Sequence, residues 1–292
     1  MNESTTFSTI GLLGLGTMGA GIAQVLASSG RNVIALEADA ERASDGLEHV
    51  TSFLDGGISR GKVTNEQRSA ILERITTTTA VNDLSQVDLV IESVSEVAEV
   101  KQALLTEVAD IIDERTPIVT NTSALSVTDL AAALPVPGRV AGLHFFNPAP
   151  VMRTVEIVRA LQTDSNLIEK LIAFVETLED KTPIVVADRP GFLINALLMP
   201  YLNDVINEYD DELATAEDID IALKLGLGYK TGPLEMLDMV GLDVHLHATE
   251  AAYAATRDPR YAAPPLLRSM VAAGYRGTKN GRGFRTEPPK GQ

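Results

Sequence analysis

Short apolar runs alternate with segments of helical periodicity through the first two-thirds of the chain. Strands are predicted over 9–15, 32–36, 74–78, 87–92, 117–121, 139–146, 154–159 and 183–187, with helices at 18–29, 99–112 and 166–178. This alternation predicts a largely parallel sheet with helices on both faces. Between Leu36 and Arg74 lie 37 residues, more than one crossover helix needs. Two helices, 40–54 and 65–73, joined through Asp55–Val63, are expected to form a helical arm projecting from the sheet. After Asp188-Arg-Pro-Gly191 the strand runs stop, and 3.6-periodic segments follow at 192–209, 216–225, 234–256 and 265–273. Thr215 with Asp218 marks a helix start and Gly226 a stop. The expected architecture is α/β: a mostly parallel sheet domain with a helical arm over 1–187, then an all-α domain over 188–292. Glu287–Gln292 reads as a frayed tail.

Composition narrows the function. Apolar residues make up 45% of the chain, enough for a sizeable core, and the scarcity of aromatics means that Ala, Val, Leu and Ile build it. Asp plus Glu outnumber Lys plus Arg by 40 to 24, a net charge of -16. Such a surface repels nucleic acid and anionic membranes, so neither is an expected partner, and an anionic substrate needs a local basic pocket. The absence of cysteine rules out a disulfide, a thiol nucleophile and a zinc-thiolate site, and no metal is expected. The opening residues Met1–Ser8 lack the basic and apolar segments of a signal peptide. No uncharged apolar stretch reaches the ~18 residues that a bilayer span requires. A soluble, cytoplasmic protein is expected.

Gly14-Leu-Gly-Thr-Met-Gly19 follows the first predicted strand and opens the first helix. In that context Gly14 permits a tight turn, Gly16 lets backbone approach a pyrophosphate, and Gly19 lets helix and strand pack closely. The phosphates would sit on the helix N-terminus, beside Thr17 and Met18, where free N–H groups and the helix dipole favour anions. Glu37 closes the second strand, 18 positions after Gly19. A carboxylate there would bond the ribose hydroxyls and repel a 2′-phosphate, which selects NAD over NADP. Arg31 and Arg42 stand near it in sequence and leave an NADP preference open.

His144 sits near the end of a predicted strand, and Ser123 just past the end of the preceding one, where sheets of this kind bind ligands. Pro148 and Pro150 stop the strand, and the next one carries Glu156. Twelve extended residues would separate the two side chains by about 40 Å; a fold-back at the prolines brings them together. A carboxylate beside an imidazole fixes its tautomer and makes it a better proton acceptor. With NAD taking a hydride, such a base would complete the oxidation of a secondary alcohol. Spacing alone leaves a packed core histidine equally open. His49, His245 and His247 lie in helical patterns and read as ordinary structural residues.

"HFFNPAPVM", preceded by "NTSALS" and followed by "VEIVR", resembles the short-chain L-3-hydroxyacyl-CoA dehydrogenase family, which includes 3-hydroxybutyryl-CoA dehydrogenases. The likeness covers nearly the whole chain, with "GLGTMGAGIAQVLASSG", "VDLVIESVSE", "DRPGFLIN", "LKLGLGYKTGPLEMLDMVGLD" and "KNGRGF" in order. The resemblance implies a Rossmann-like first domain and a role in fatty acid metabolism. It implies NAD-dependent interconversion of a short-chain (3S)-3-hydroxyacyl-CoA and its 3-oxoacyl-CoA. By the same resemblance His144 is the general base and Glu156 its partner. Ser123 and Asn195 bind the substrate and complete the catalytic group. The cofactor contacts are Gly14, Gly16, Thr17, Met18, Gly19, Glu37, Glu96, Lys101, Asn147 and Lys279. It further implies a homodimer through a helical domain that closes over the cleft.

The chain departs from that pattern in places. Ala124 stands where a second serine is common, and Arg153-Thr154 replaces a common Lys-Leu. The arm, where relatives place lysines for the CoA phosphates, offers only Arg60 and Lys62. That leaves open an acyl-carrier-protein thioester as substrate in place of the CoA thioester. A 6-phosphogluconate-like hydroxyacid dehydrogenase shares the "GLGTMG" opening but needs a catalytic lysine on the interdomain helix, and Phe192–Asp204 has none. A non-enzymatic NAD-binding protein would have no use for Ser123, His144, Glu156 and Asn195 together.

Overall fold

The computed structural model describes residues 7–285. The expected tail at Glu287–Gln292, and the opening residues up to Thr6, lie outside the described residues.

Eight strands form one sheet: β1 (Thr9–Leu13), β2 (Asn32–Leu36), β3 (Ile75–Thr78), β4 (Leu89–Glu92), β5 (Ile118–Thr120), β6 (Val140–Phe145), β7 (Thr154–Arg159) and β8 (Thr182–Ala187). Their order is β3-β2-β1-β4-β5-β6-β7-β8. Every neighbouring pair is parallel except β6 and β7, which run antiparallel. The first six strands follow the order of a dinucleotide-binding sheet, whose direction of winding reverses between β1 and β4; ligands bind at the strand ends beside that reversal. The first strand ends at Leu13, two residues before its apolar run does, because Gly14 turns the chain at φ 89°.

Helices α1 (Thr17–Ser28), α2 (Ala40–Ser59), α3 (Asn65–Leu72), α4 (Ala98–Ala109), α5 (Val127–Ala132) and α6 (Ser165–Glu176) cover the sheet. On one face Ile22 and Leu26 of α1 and Leu171 and Phe174 of α6 share a core with Ile10, Leu12, Ile91 and Ile157. On the other, Leu105 and Val108 of α4 and Val127 and Ala131 of α5 join Leu13, Val90, Ile118 and Val140. Full burial of a side chain of this size contributes roughly 1.5–3 kcal/mol, so both faces are firmly held and the strand tips between them are placed rigidly. The expected arm is α2 with α3. Its joint is shorter than Asp55–Val63, because α2 runs on to Ser59 and α3 restarts behind a Thr64–Gln67 capping box. Val50 and Leu54 seat its inner face in the same core as α1, and the rest is largely exposed. The short α5, capped by the Ser126 side chain, has too few residues to show a period and was not anticipated.

The first compact unit ends at Phe192 and the second begins at Leu193, a turn later than the expected division after Ala187. The turn belongs to the sheet unit because Asp188 accepts from Ser126 Oγ (3.1 Å) and Thr128 N–H (2.7 Å) and Phe192 is buried in its core. The second unit is helical: α7 (Ile194–Asp210), α8 (Ala216–Leu227), α9 (Pro233–Val240), α10 (Leu242–Thr256) and α11 (Pro265–Ala272). Thr215 caps α8 as expected, by accepting from Asp218 N–H. Gly226 does not stop it; Gly228, at φ 76°, does. The 234–256 pattern is two helices, because Gly241 turns the chain at φ 102° while the apolar period continues across it. Among the described residues no helix is long and apolar enough to cross a membrane.

Candidate active site

Two adjoining clefts of about 910 and 500 Å³ open at the carboxyl ends of the strands of the first unit, and both are lined by Gly16, Ser93, Val94 and Ser95. The glycine loop forms their shared floor. A Cβ on Gly19 would lie 2.0 Å from the Gly14 carbonyl oxygen, so only glycine allows this strand-to-helix closure. A Cβ on Gly16 would meet nothing within 4 Å. Gly16 is the N-cap of α1 and no side chain caps the helix. Free N–H groups thus face open space that a side chain would fill, which is what a bound diphosphate requires. Thr17 and Met18 line the smaller cleft beside it.

Glu37 lines the larger cleft, with Oε1 accepting from Leu15 N–H at 2.5 Å and Oε2 from Ala38 N–H at 3.2 Å. These bonds orient the carboxylate at the end of β2, where a ribose would sit. Arg31 is turned away, donating to Thr177 Oγ1 and the Ser29 carbonyl. Arg42 borders the cleft and pairs with Asp39 at 3.6 Å. His49 lines it as well, although its helical surroundings gave no such signal. Asp45 and Glu107 add further acid, so the wall disfavours an extra phosphate. The residues fit NAD.

His144 and Glu156 are direct partners across the antiparallel β6–β7 ladder. The turn between them includes a cis Asn147–Pro148 bond. His144 Nδ1 lies 2.7 Å from Glu156 Oε2, with the histidine 5% exposed and the glutamate fully buried. A carboxylate only accepts, so the proton of the neutral ring resides on Nδ1 and Nε2 carries the lone pair. His144 lines the smaller cleft with Ser123, Asn121, Phe146 and Asn147. Phe146 packs on the imidazole at 4.4 Å between centroids, and Phe192 meets it edge-on at 5.5 Å. Phe192 holds a left-handed φ of 49°, a conformation that costs a non-glycine residue about 1–2 kcal/mol. The buried fit of its ring beside His144 offsets that.

Ser123 lies exposed on the loop after β5. Glu96 holds this loop: Oε1 accepts from Thr122 Oγ1 (2.6 Å), Ser123 N–H (2.8 Å) and Ala124 N–H (3.1 Å). Burial pushes the Glu96 carboxyl up, but the Thr122 hydrogen bond and the Lys101 charge outweigh it and keep the group below its usual range. Lys101 lies 3.2 Å from Glu96 and 2.6 Å from Glu92. Glu92 and Asn121, whose Oδ1 accepts from Phe145 N–H at 2.8 Å, were missed by sequence reasoning. The available signal for Glu92 was an acid closing the otherwise apolar strand Leu89-Val-Ile-Glu92.

The remaining candidates are not among the residues that line the two clefts. Asn195 stands half-buried in the first turn of α7, in the second unit. Lys279, in the same unit, pairs with Asp243 at 2.9 Å. The motif around Lys279 is tied down by buried Asp238, which accepts from Phe284 and Arg285 N–H. Arg60 and Lys62 are exposed just past the end of α2, and neither borders the two clefts.

Comparison with known proteins extends the picture. The model of the 3-hydroxyacyl-CoA dehydrogenase NAD-binding domain matches residues 9–189, and that of the family's C-terminal domain matches 191–287. A 3-hydroxybutyryl-CoA dehydrogenase of Mycobacterium tuberculosis is 40% identical over 284 residues, 97% of this chain and 99% of that protein. The crystal structure of FadB2 from the same organism superposes with a TM-score of 0.93, at 40% identity, over 97% of this chain and 99% of the other. That of (S)-3-hydroxybutyryl-CoA dehydrogenase PaaH1 from Ralstonia eutropha gives 0.91, again at 40% identity, over 96% and 99%.

Proposed function

Because this chain belongs to the 3-hydroxyacyl-CoA dehydrogenase family, we propose that it interconverts a short-chain (3S)-3-hydroxyacyl-CoA, of the 3-hydroxybutyryl-CoA type, and the 3-oxoacyl-CoA, with NAD as cofactor. The observation that carries this reading is the buried His144–Glu156 pair at 2.7 Å, set in the same cleft as the glycine loop. NAD, when bound, supplies the hydride acceptor. His144 Nε2 takes the proton of the 3-hydroxyl and returns it in the reverse direction. Glu156 keeps the Nδ1 proton in place and offsets the positive charge that the ring acquires. Ser123 orients the substrate oxygen, and Asn195 contributes from α7. The glycine loop and Glu37 seat the cofactor, with Glu96, Lys101, Asn147 and Lys279 bordering it. Arg60 and Lys62 meet the CoA phosphates. A cytoplasmic homodimer through the helical unit belongs to the same reading. Leu225, Leu227 and Met239 stand 83%, 64% and 61% exposed there, apolar side chains that such a contact would cover.

The test is the decay of NADH absorbance on adding acetoacetyl-CoA. Rapid decay with NADH, and slower decay with NADPH, is expected. Decay with an acetoacetyl carrier-protein ester and none with the CoA ester would replace the CoA substrate by the carrier-protein one. No decay with either would refute the activity.

A further inference from the structure

Glu92 closes β4 beside the cleft, and the reaction as drawn gives it no task. Its carboxylate is fully buried, where a charge is costly unless it is paired. Oε1 takes Lys101 Nζ at 2.6 Å and Val94 N–H at 2.7 Å, and Oε2 takes the Thr120 hydroxyl at 2.6 Å. The sheet itself does not call for an acid: the register partners of Glu92 are Leu13 and Thr120, both neutral. Apolar packing at such a position is commonly as stable as a buried ion pair.

Lys101 is 1% exposed, and besides Glu92 it reaches Glu96 Oε2 at 3.2 Å and the Val94 carbonyl at 3.3 Å. Lys101 Nζ thus donates to Glu92 and to the Val94 carbonyl and is ion-paired with Glu96. Lys101 therefore acts on its surroundings through Glu96, whose other oxygen gathers the N–H groups of Ser123 and Ala124. A continuous chain of ion pairs and hydrogen bonds runs from the tip of β4 to the Ser123 backbone. If Glu92 lost its charge, Lys101 would pair with Glu96 alone and draw it off the loop.

We propose that Glu92 is a positioning residue for substrate capture, which sets the place of Ser123 through Lys101 and Glu96. This rests on the reading of Ser123 as a substrate contact. The experiment compares wild type, Glu92→Gln, Ser123→Ala and the double variant. It measures kcat and KM for acetoacetyl-CoA, Kd for NADH alone, and melting temperature. Glu92→Gln is expected to lower kcat/KM by about 10- to 100-fold, the scale of a small misplacement of a reacting group. NADH Kd should rise by less than kcat/KM falls, because Lys101 and Glu96 border the cofactor while the glycine loop and Glu37 seat it. The double variant should be no worse than Ser123→Ala, because both act through one hydroxyl. Glu92→Asp keeps the charge but draws it back, and should recover part of the loss. A lowered melting temperature with kcat/KM intact would overturn the proposal, as would an NADH Kd that weakens in step, or additive losses in the double variant. An inert Ser123→Ala would overturn the reading of Ser123 and, with it, the proposed target. Should Glu92→Gln fail to fold, Glu92→Asp carries the test, and an unchanged kcat/KM there refutes the proposal.

Discussion

Gly16 and Gly19, three residues and so about 4.5 Å of helix rise apart, should respond to the same substitution in opposite ways. At Gly19 an alanine Cβ would lie 2.0 Å from the Gly14 oxygen and 2.9 Å from its carbonyl carbon. Neither atom belongs to a flexible side chain, and Gly14 is itself held by a 2.9 Å bond from its N–H to the Leu36 carbonyl. The helix must therefore move away from the strand. Overpacking of this kind costs about 1–3 kcal/mol, which in a unit of this size lowers Tm by roughly 2–12 °C. At Gly16 the backbone has φ -64° and the new methyl meets nothing. Stability should change by less than about 0.5 kcal/mol, since alanine is the poorer cap but stiffens the unfolded chain. The methyl instead occupies the space where the diphosphate meets the free N–H groups of α1. Losing one charge-assisted hydrogen bond there is worth about 1.5–3 kcal/mol, or roughly a 10- to 150-fold rise in NADH Kd. Thermal melts give the first quantity. NADH fluorescence titration gives the second, free of tryptophan background because the chain has none. If Gly16→Ala binds NADH within twofold of wild type, the phosphates do not sit over Gly16. If Gly19→Ala melts unchanged, the closure of strand on helix is not tight.

His144→Ala should lower kcat by about 10²–10⁴-fold with NADH binding nearly intact, as read by steady-state rates and titration; retained turnover would remove the base assignment. Glu37→Gln should narrow the preference for NADH over NADPH, measured as the ratio of the two kcat/KM values, and an unchanged ratio would mean that another group reads the ribose. His245 is pushed down to about 4 from 6.5 by burial, so it stabilises the second unit above its unfolded value and that contribution is lost as pH falls toward 4. The span is worth at most about 3.4 kcal/mol. His245→Gln keeps a donor for Asn203 Oδ1, which His245 Nε2 meets at 3.0 Å, but does not titrate. The stability advantage of wild type over this variant, from denaturant melts, should therefore shrink by about 2–3 kcal/mol between about pH 7.5 and about pH 4.5; a constant difference would refute the burial argument.

What was legible in the sequence was what repeats locally. The apolar runs of the sheet, the glycine turn after Leu13 and the proline-led reversal after His144 each concern neighbours along the chain. The pairing of His144 with Glu156 followed from that reversal, and the ladder supplies the register that the reversal alone leaves open. Gly241 was hidden because Leu237 and Leu242, both fully buried in one core, keep the apolar rhythm going across the break. Glu92 stood out only as an acid closing an apolar strand, and its partners were hidden for a different reason. Its donors come from Thr120 and Lys101 on two other elements, and nothing in a single strand announces partners that arrive from elsewhere. His49 was likewise invisible, because it faces a cleft that exists only once α2 has been laid beside the glycine loop.

The facing placement of His144 and Glu156 has a consequence for how this protein can vary. Their separation is dictated by the rungs of two hydrogen-bonded strands, so the bend of residues 147–153, beyond the Phe146 ring that packs on the imidazole, can exchange residues without parting them. What the pair cannot survive is a slip of one rung, which would send the two side chains to opposite faces of the sheet. The bend is thereby left at liberty to adapt Asn147 and its neighbours to whatever the cleft holds, while the proton-handling pair stays insulated from those changes.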